Sequence, residues 1–358
     1  MFETLVAVIP VWGEAAISSS INYGMPSLLA PGNVPAVAAE VRCRFDIYGY
    51  VEDCRALAAS AAVQALGRYG EVRFVPLHLD DEAQRRNQMY SHSLFKFICS
   101  SAIERLDPSG KEAIYFHMAD AVMADGSLFN AVMAIKDGAR AVLTRPQRVD
   151  EAVMRELLLP YVDPNSGGSL RVSPRELMAM QWQAEHPLVA ASYWDAETFI
   201  TDPAMIGWRS GTSGAVFGGL MPHPFLVWPT RPITGFNNVI DRDFAFHAVD
   251  DPDTVAVVRD SDQVAFVSTA PCTYMSELIG NRPADLDTVA RWMASFDVSD
   301  AQLDVTTTPS LLHSHDVGPE DLAVFAKAEA VMRDLRDRVR MYQTDRSGGV
   351  ARGVGRAG

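Results

Sequence analysis

Short apolar runs alternate with amphipathic stretches over the first 145 residues. The first run, Thr4–Val11, is apolar at almost every position, which is typical of a strand buried on both faces. The alternation predicts an α/β fold with a mostly parallel Rossmann-type sheet, flanked by helices, whose fourth strand is central. The predicted strands are Thr4–Val11, Arg42–Tyr50, Glu71–Leu77, Ala113–Met118 and Ala139–Thr144, and the predicted helices are Glu52–Tyr69, Asp81–Leu106 with a capping box at Asp81 and Gln84, and Ser127–Lys136.

The second half of the chain is less regular. A Gly/Ser/Asn-rich stretch over Asp163–Val172 predicts a linker, and Ser173-Pro174-Arg175-Glu176 predicts a capped helix start. Further strands are expected near Ala215–Phe217, Thr254–Val258 and Val264–Ser268, and helices over Asp285–Phe296 and Pro319–Tyr342. We therefore expect an α/β half over 1–162, a second half of the same domain over 173–271, a helical extension over 272–343 and a disordered tail over 344–358.

Charge and composition narrow the function classes. The chain of 358 residues carries 31 basic and 45 acidic side chains, a net charge of −14, which repels duplex nucleic acid as a partner. Four scattered cysteines without a C-x-x-C pair, and no basic stretch before the first strand, predict a cytoplasmic protein without a signal peptide. The uncharged runs Ala15–Ala39 and Ser210–Thr230 each contain three prolines, so we expect no transmembrane segment.

The most informative polar residues follow the fourth predicted strand. Asp120 lies just past the end of this strand, and Asp125-Gly126 leads into the next helix. Ligands of open α/β sheets bind outside the carboxyl ends of strands, and a carboxylate there can hold a divalent cation that neutralises a diphosphate. The alternative is that Asp120 is a loop carboxylate and Asp125 a helix N-cap.

The order of these elements, together with the turn ADAVMADGS, resembles the GT-A-type bacterial glycosyltransferases. The turn occupies the place of that family's D-x-D motif, although its second acid follows five residues after the first rather than two. The resemblance spans roughly residues 1–270. It implies a hexosyltransferase-type enzyme that moves a sugar from a nucleotide-diphosphate-sugar donor to a hydroxyl of a glycan, lipid or protein, with Mg²⁺ or Mn²⁺ held at Asp120.

The resemblance also implies where the donor nucleotide binds. The long loop Ser18–Val37, which follows the first strand, corresponds to the one that receives the base and ribose in the family. A simple surface loop is the alternative. The residues expected to contact the donor are Asn22, Tyr23, Ser27, Asn33, Asp120, Asp125 and Gly126.

Asp241 and Asp243 are the candidate catalytic residues on the acceptor side. On a strand both side chains would face the same way, and an acid in this half often serves as the base in GT-A enzymes. A helix N-cap plus a surface charge is the alternative. Weaker candidates are Asp260 and Asp262 as further acids, His313 and His315 as metal ligands, Arg145 and Arg209 as anion partners, and His223 and Trp228 as acceptor-side lining.

Two other functions are alternatives. One is a nucleotidyltransferase or another phosphate-handling α/β enzyme, which would use the same strand-end acid. The other is a sugar-binding module with a degenerate site, which the wide spacing of the two acids in the turn favours.

Overall fold

The computed structural model describes residues 2–77, 88–163, 168–236 and 240–353. Its strands are β1 Thr4–Pro10, β2 Arg42–Tyr50, β3 Gly70–Leu77, β4 Glu112–Phe116, β5 Ala121–Met123, β6 Ala141–Thr144, β7 Gln147–Asp150, β8 Val162–Asp163, β9 Ser169–Leu170, β10 Ile206–Ser210, β11 Gly214–Gly218, β12 His223–Val227, β13 Val255–Val257, β14 Phe266–Ala270 and β15 Ser310–His313.

Helices connect and cover these strands. The α-helices are Glu14–Ser19, Met25–Leu28, Val34–Ala38, Val51–Ala58, Ala61–Leu66, Gln88–Glu104, Ser127–Lys136, Glu151–Leu158, Pro174–Gln183, Pro187–Ala190, Ala245–Ala248, Leu286–Ala294, Asp300–Thr306 and Pro319–Gly353. Single π-helical turns span Ser20–Gly24 and Ile240–Phe244, and 3₁₀ turns span Leu159–Tyr161, Pro252–Thr254 and Ser276–Leu278. Within the described ranges, no helix is both long and apolar enough to cross a membrane.

The main sheet confirms the predicted α/β fold. Among the described residues it has seven strands in the order β13-β6-β12-β4-β1-β2-β3, with β4 in the centre. The pairs β4–β1, β1–β2, β2–β3 and β6–β13 are parallel. β12 runs antiparallel to both of its neighbours, β4 and β6. The first residue of β12 therefore lies at the same edge as the carboxyl ends of the parallel strands.

Hydrophobic clusters cover both faces of the main sheet. Along β1, Leu5, Ala7 and Ile9 belong to the first core cluster, on one face of the sheet, whereas Val6 and Val8 belong to a second cluster on the other face. Successive side chains of a strand point to opposite faces, so a strand covered on both sides needs apolar residues at nearly every position. This double burial explains the continuous apolar runs of the sequence.

The described residues also form two smaller three-stranded sheets, β10-β11-β15 and β5-β14-β7. In the second of these, β14 runs antiparallel to β5 and parallel to β7, so a strand of the second half pairs with the acidic turn that follows β4. The helix Pro174–Gln183 begins with the predicted capping box: the Ser173 Oγ accepts from the backbone N–H of Glu176, and the Glu176 carboxylate accepts from that of Ser173.

Several predicted elements differ from the structure. The expected helix Glu52–Tyr69 is two helices, because Ser60 caps a new one by accepting from the backbone N–H of Val63. The expected linker Asp163–Val172 contains β9, which pairs with β8. The capping box predicted at Asp81 and Gln84 lies outside the described residues.

The loop predicted over Ser18–Val37 is instead helical. Pro26 and Pro35 each stand in the first turn of a short helix, where proline's missing N–H costs no hydrogen bond. Met25, Leu28 and Val34 are completely buried against the first core cluster. The absence of charge in this segment therefore reflects burial.

The last helix continues to Gly353, past the predicted end at Tyr342. Its inner face buries Ala328, Met332, Leu335 and Val339, whereas Thr344 and Asp345 are exposed. The first part of the predicted tail is therefore helical, and its first two residues, Thr344 and Asp345, bury no apolar surface.

Deleting residues 344–358 is expected to lower the free energy of unfolding by less than about 1 kcal/mol, since the exposed start of this segment buries little apolar area. Deleting residues 335–358 also removes Leu335 and Val339, and should cost at least about 3 kcal/mol. Urea unfolding of the two truncations measures both values. A large loss from the shorter deletion would show that the tail packs on the protein.

Candidate functional site

A cavity of about 300 Å³ opens at the carboxyl edge of the main sheet. Its walls come from the end of β1 and the segment after it, from the segment after β4, from the helices Gln88–Glu104 and Glu151–Leu158, and from β14. The lining is partly aromatic and carries two carboxylates: it consists of Pro10, Trp12, Ala15, Ala16, Ser19, Phe95, Met118, Ala119, Asp120, Glu151 and Thr269. The volume is at the lower end of the range for small-molecule sites.

Asp120 lies in this cavity, at the edge predicted for it. The Ser268 Oγ donates to Asp120 Oδ2 at 2.6 Å, and the backbone N–H of Thr269 donates to the Asp120 carbonyl at 2.9 Å. An Arg148 guanidinium nitrogen lies 4.0 Å from the same carboxylate oxygen, and the guanidinium stacks on the Tyr274 ring at 4.4 Å. The Asp120 side chain keeps 37% of its surface exposed, so a ligand can reach it.

Glu151 supplies the second carboxylate of the cavity lining. It is the first residue of the helix Glu151–Leu158, which Asp150 caps by accepting from the backbone N–H of Val153 at 2.8 Å. Its Oε1 lies 3.5 Å from both the Ser19 hydroxyl and an Arg155 guanidinium nitrogen. Carboxylate and hydroxyl oxygens are the ligands that Mg²⁺ and Mn²⁺ prefer, so the lining fits the metal that the sequence resemblance implies.

Asp125 does not line this cavity. The strand β5 separates it from Asp120, and its carboxylate accepts from the backbone N–H of Gly32 at 2.6 Å and from Arg171 at 3.1 Å. Gly126, with a φ of 91°, takes the N-cap position of the next helix, so the N-cap alternative for Asp125 is wrong. Through its hydrogen bond to Gly32, Asp125 holds the segment between β1 and β2 against the acidic turn.

Ser27 and Asn33 are fully buried. The Ser27 Oγ accepts from the backbone N–H of Met123 at 3.1 Å. The Asn33 amide donates to the Ala124 carbonyl at 3.0 Å and accepts from the backbone N–H of Leu128 at 3.0 Å. These bonds hold the helical segment after β1 against the acidic turn.

Asn22 and Tyr23 lie on the π-helical turn Ser20–Gly24, where their side chains reach solvent. Partial burial raises the pKa of Tyr23, although Arg155 opposes the shift. Gly24 brings this turn close to the strand end, because a Cβ there would lie 3.1 Å from the buried His117 Nε2 and 3.3 Å from the carbonyls of Ala119 and Ala121. π-turns are rare and are frequently found at functional sites.

Asp241 and Asp243 lie on the second π-turn, Ile240–Phe244, and not on a strand that would point both side chains the same way. Residues two apart in a helical turn point in different directions. Asp243 is bound on both oxygens by Arg242, at 2.7 and 2.6 Å, and this pair is mostly buried. Asp241 instead accepts from His223 Nδ1 at 2.9 Å and remains 41% exposed.

The arginines proposed from sequence have other contacts. Arg145 is buried and donates to the backbone carbonyls of Gly219 and Thr308 at 3.3 and 2.8 Å, and to that of Thr306. Arg209 pairs with Glu185 at 2.6 Å. Arg148, the cation next to Asp120, was missed because nothing in the local sequence distinguishes it.

Trp228 lies at the opposite edge of the main sheet from the cavity. It directly follows β12, its ring packs on Phe2 at 6.0 Å between centroids, and its Nε1 donates to the Gly110 carbonyl at 2.7 Å. It therefore cannot line the cavity. A wider groove of about 1030 Å³ lies at this amino edge. It is lined by charged side chains that form ion pairs with one another, among them Arg42–Glu3 and Arg73–Glu71.

Asp260, Asp262 and His313 form a separate cluster. A carboxylate oxygen of each aspartate and an imidazole nitrogen of His313, the atoms that could bind a metal ion, lie within 4.8 Å of one another. The His313 Nε2 contacts Asp260 at 2.9 Å; this hydrogen bond lowers the pKa of Asp260 and raises that of His313. Arg175 binds Asp262 at 2.9 Å, and His315 pairs with Asp321 at 3.0 Å. These groups compensate each other's charge within the fold.

The chain is similar to known proteins in structure rather than in sequence. No family model and no curated protein matches the sequence. Among solved structures, 4-diphosphocytidyl-2C-methyl-D-erythritol synthase from Anaerococcus prevotii is 15% identical, with a TM-score of 0.27, over 40% of this chain and 56% of that one. Mouse xyloside xylosyltransferase 1 in its apo form is 12% identical, with a TM-score of 0.26, over 43% of this chain and 57% of that one. The matches thus span little more than half of each neighbour, at a similarity too low to support any inference about function.

Proposed function

We propose that the chain is a glycosyltransferase that binds a nucleotide-diphosphate-sugar donor in the cavity at the carboxyl edge of the main sheet. The observation that carries this proposal is the cavity itself, which combines an accessible Asp120 with aromatic walls at the strand edge where α/β sheets bind ligands. The sequence resemblance gives the chemistry, and the location of Asp120 supports it.

In this proposal the donor lies in the cavity beside Asp120, where Trp12 and Phe95 offer apolar surface for the base. Asn22 and Tyr23 follow the lining residue Ser19 in the chain but do not themselves line the cavity. Arg148 provides positive charge next to Asp120 for the diphosphate. Ser268 fixes the orientation of Asp120 through its hydrogen bond.

A divalent cation at this site would be held by Asp120 and Glu151, and when bound it would neutralise the charge of the diphosphate. Asp241 is the proposed base on the acceptor side, because its carboxylate is exposed whereas that of Asp243 is bound by Arg242. The acceptor is a hydroxyl of a glycan, lipid or protein.

A ligand screen tests donor binding. The purified protein is heated with UDP-glucose, UDP-N-acetylglucosamine, GDP-mannose and dTDP-glucose, each with and without Mn²⁺. A donor at about 100 times its Kd should stabilise the protein by about 2.7 kcal/mol, which raises the melting temperature measurably. If none of a wide panel of nucleotide sugars changes the melting temperature, the donor site is wrong.

The released product identifies the reaction. A glycosyltransferase that hydrolyses its donor slowly releases a nucleoside diphosphate. The nucleotidyltransferase alternative releases pyrophosphate when a nucleoside triphosphate and a sugar phosphate are supplied. A sugar-binding module would show binding without either product.

A further inference from the structure

The acceptor side of the site contains a histidine–carboxylate pair. The His223 Nδ1 lies 2.9 Å from Asp241 Oδ1, and the His223 side chain is only 7% exposed. Because the partner is a carboxylate, Nδ1 carries the proton and donates it to this bond. The bond fixes one oxygen of Asp241 and leaves Oδ2 for a ligand.

This pair is at the same edge of the main sheet as the cavity. His223 is the first residue of β12, which runs antiparallel beside β4, whose end leads to Asp120. The helix Gln88–Glu104 runs past both the cavity and the His223–Asp241 pair. Phe95 lines the cavity, and Cys99, one turn further along the same helix, has its pKa raised by burial and by the Asp241 carboxylate.

Packing alone does not explain a histidine at position 223. Its Nε2 is buried and has no hydrogen-bond partner in the part of the chain that the structure describes, and the ring packs edge-on against Phe266 at 5.4 Å. A buried polar atom without a partner is destabilising. A phenylalanine would fill this space without that cost but could not donate to Asp241.

We propose that His223 is a positioning residue that holds Asp241 for proton transfer from the acceptor. This inference rests on the proposed transferase function. The acceptor oxygen forms a bond to the anomeric carbon, the bond between that carbon and the phosphate oxygen breaks, and the nucleoside diphosphate leaves with the electron pair. The acceptor's proton goes to Asp241 Oδ2.

Two substitutions of opposite character test this role. His223→Phe keeps the ring packing and removes the donor, whereas His223→Asn keeps an N–H close to the Nδ1 position and loses ring packing. Donor hydrolysis is measured as release of nucleoside diphosphate from the nucleotide sugar that the screen identifies. We expect about 10- to 100-fold slower release for His223→Phe with an unchanged melting temperature, and a smaller loss for the less stable His223→Asn.

A purely structural histidine predicts the reverse order, with the asparagine variant worse in both activity and stability, and that result would overturn the inference. Asp241→Asn should slow release by about 10²–10⁴-fold, and adding His223→Phe should slow it little further, because the two residues act as a unit. Fully additive effects would also contradict the inference. If the parental protein neither binds nor hydrolyses any donor, the proposed function fails, which is a different outcome.

Discussion

Replacing Asp120 by asparagine is expected to slow release of nucleoside diphosphate by at least about 100-fold and to leave the melting temperature nearly unchanged. The substitution keeps the shape of the side chain but removes the charge next to Arg148 and in the cavity. Groups that act on developing charge in a transition state typically contribute 10²–10³-fold. No apolar packing is lost, because the side chain is more than a third exposed.

Asp125→Asn is the matched control. It removes a carboxylate of the same turn that binds Gly32 and Arg171 outside the cavity. We expect a loss of about 1–3 kcal/mol in the free energy of unfolding and a nearly parental kcat at a temperature where the variant is folded. If Asp125→Asn abolishes turnover and Asp120→Asn does not, the donor site lies on the other side of β5.

Arg145→Met is expected to cause the largest loss of stability, about 3–5 kcal/mol. The buried guanidinium donates to three backbone carbonyls, those of Gly219, Thr306 and Thr308. Thr306 is the last residue of the helix Asp300–Thr306, and Thr308 lies two residues beyond it; carbonyls at a helix C-terminus lack partners within the helix and favour a cation. Burial lowers the pKa of Arg145 to about 9, so the group is still charged at neutral pH. Methionine fills the volume but leaves these carbonyls buried and unpaired.

Arg209→Met is the control for this prediction. Arg209 is half-exposed and pairs with Glu185 at 2.6 Å, a surface ion pair that contributes about 1 kcal/mol or less. Urea unfolding of both variants measures the difference. A similar small loss from both would show that water replaces the Arg145 guanidinium at the three carbonyls.

The sequence predicted the fold well because β1 and β4 are covered on both faces and so are apolar at nearly every position. It predicted that Asp120 lies at the carboxyl edge of the sheet, because the end of a strand can be recognised from the residues next to it in the sequence. It missed the pairing of His223 with Asp241, since that contact depends on the antiparallel insertion of β12 beside β4.

The helical segment after β1 was predicted as a loop for a related reason. The helices Met25–Leu28 and Val34–Ala38 are short and lack a polar face, because they pack against the first core cluster. A helix that is buried on all sides is apolar all round and therefore lacks the periodic signal of a surface helix. The hydrogen bonds of Ser27 and Asn33 to the acidic turn are likewise tertiary contacts between distant parts of the chain.

The position of β12 has a consequence for synthesis of the chain. β12 lies between β4 and β6 in the sheet but is synthesised after both of them. Until Val227 has been synthesised, the strand edges of β4 and β6 that pair with Leu226 therefore stay uncovered. Open apolar strand edges promote association between nascent chains, and pairings distant in sequence form slowly. We therefore expect fragments that stop before β12 to aggregate when expressed, and production of the full chain to depend on chaperones during translation.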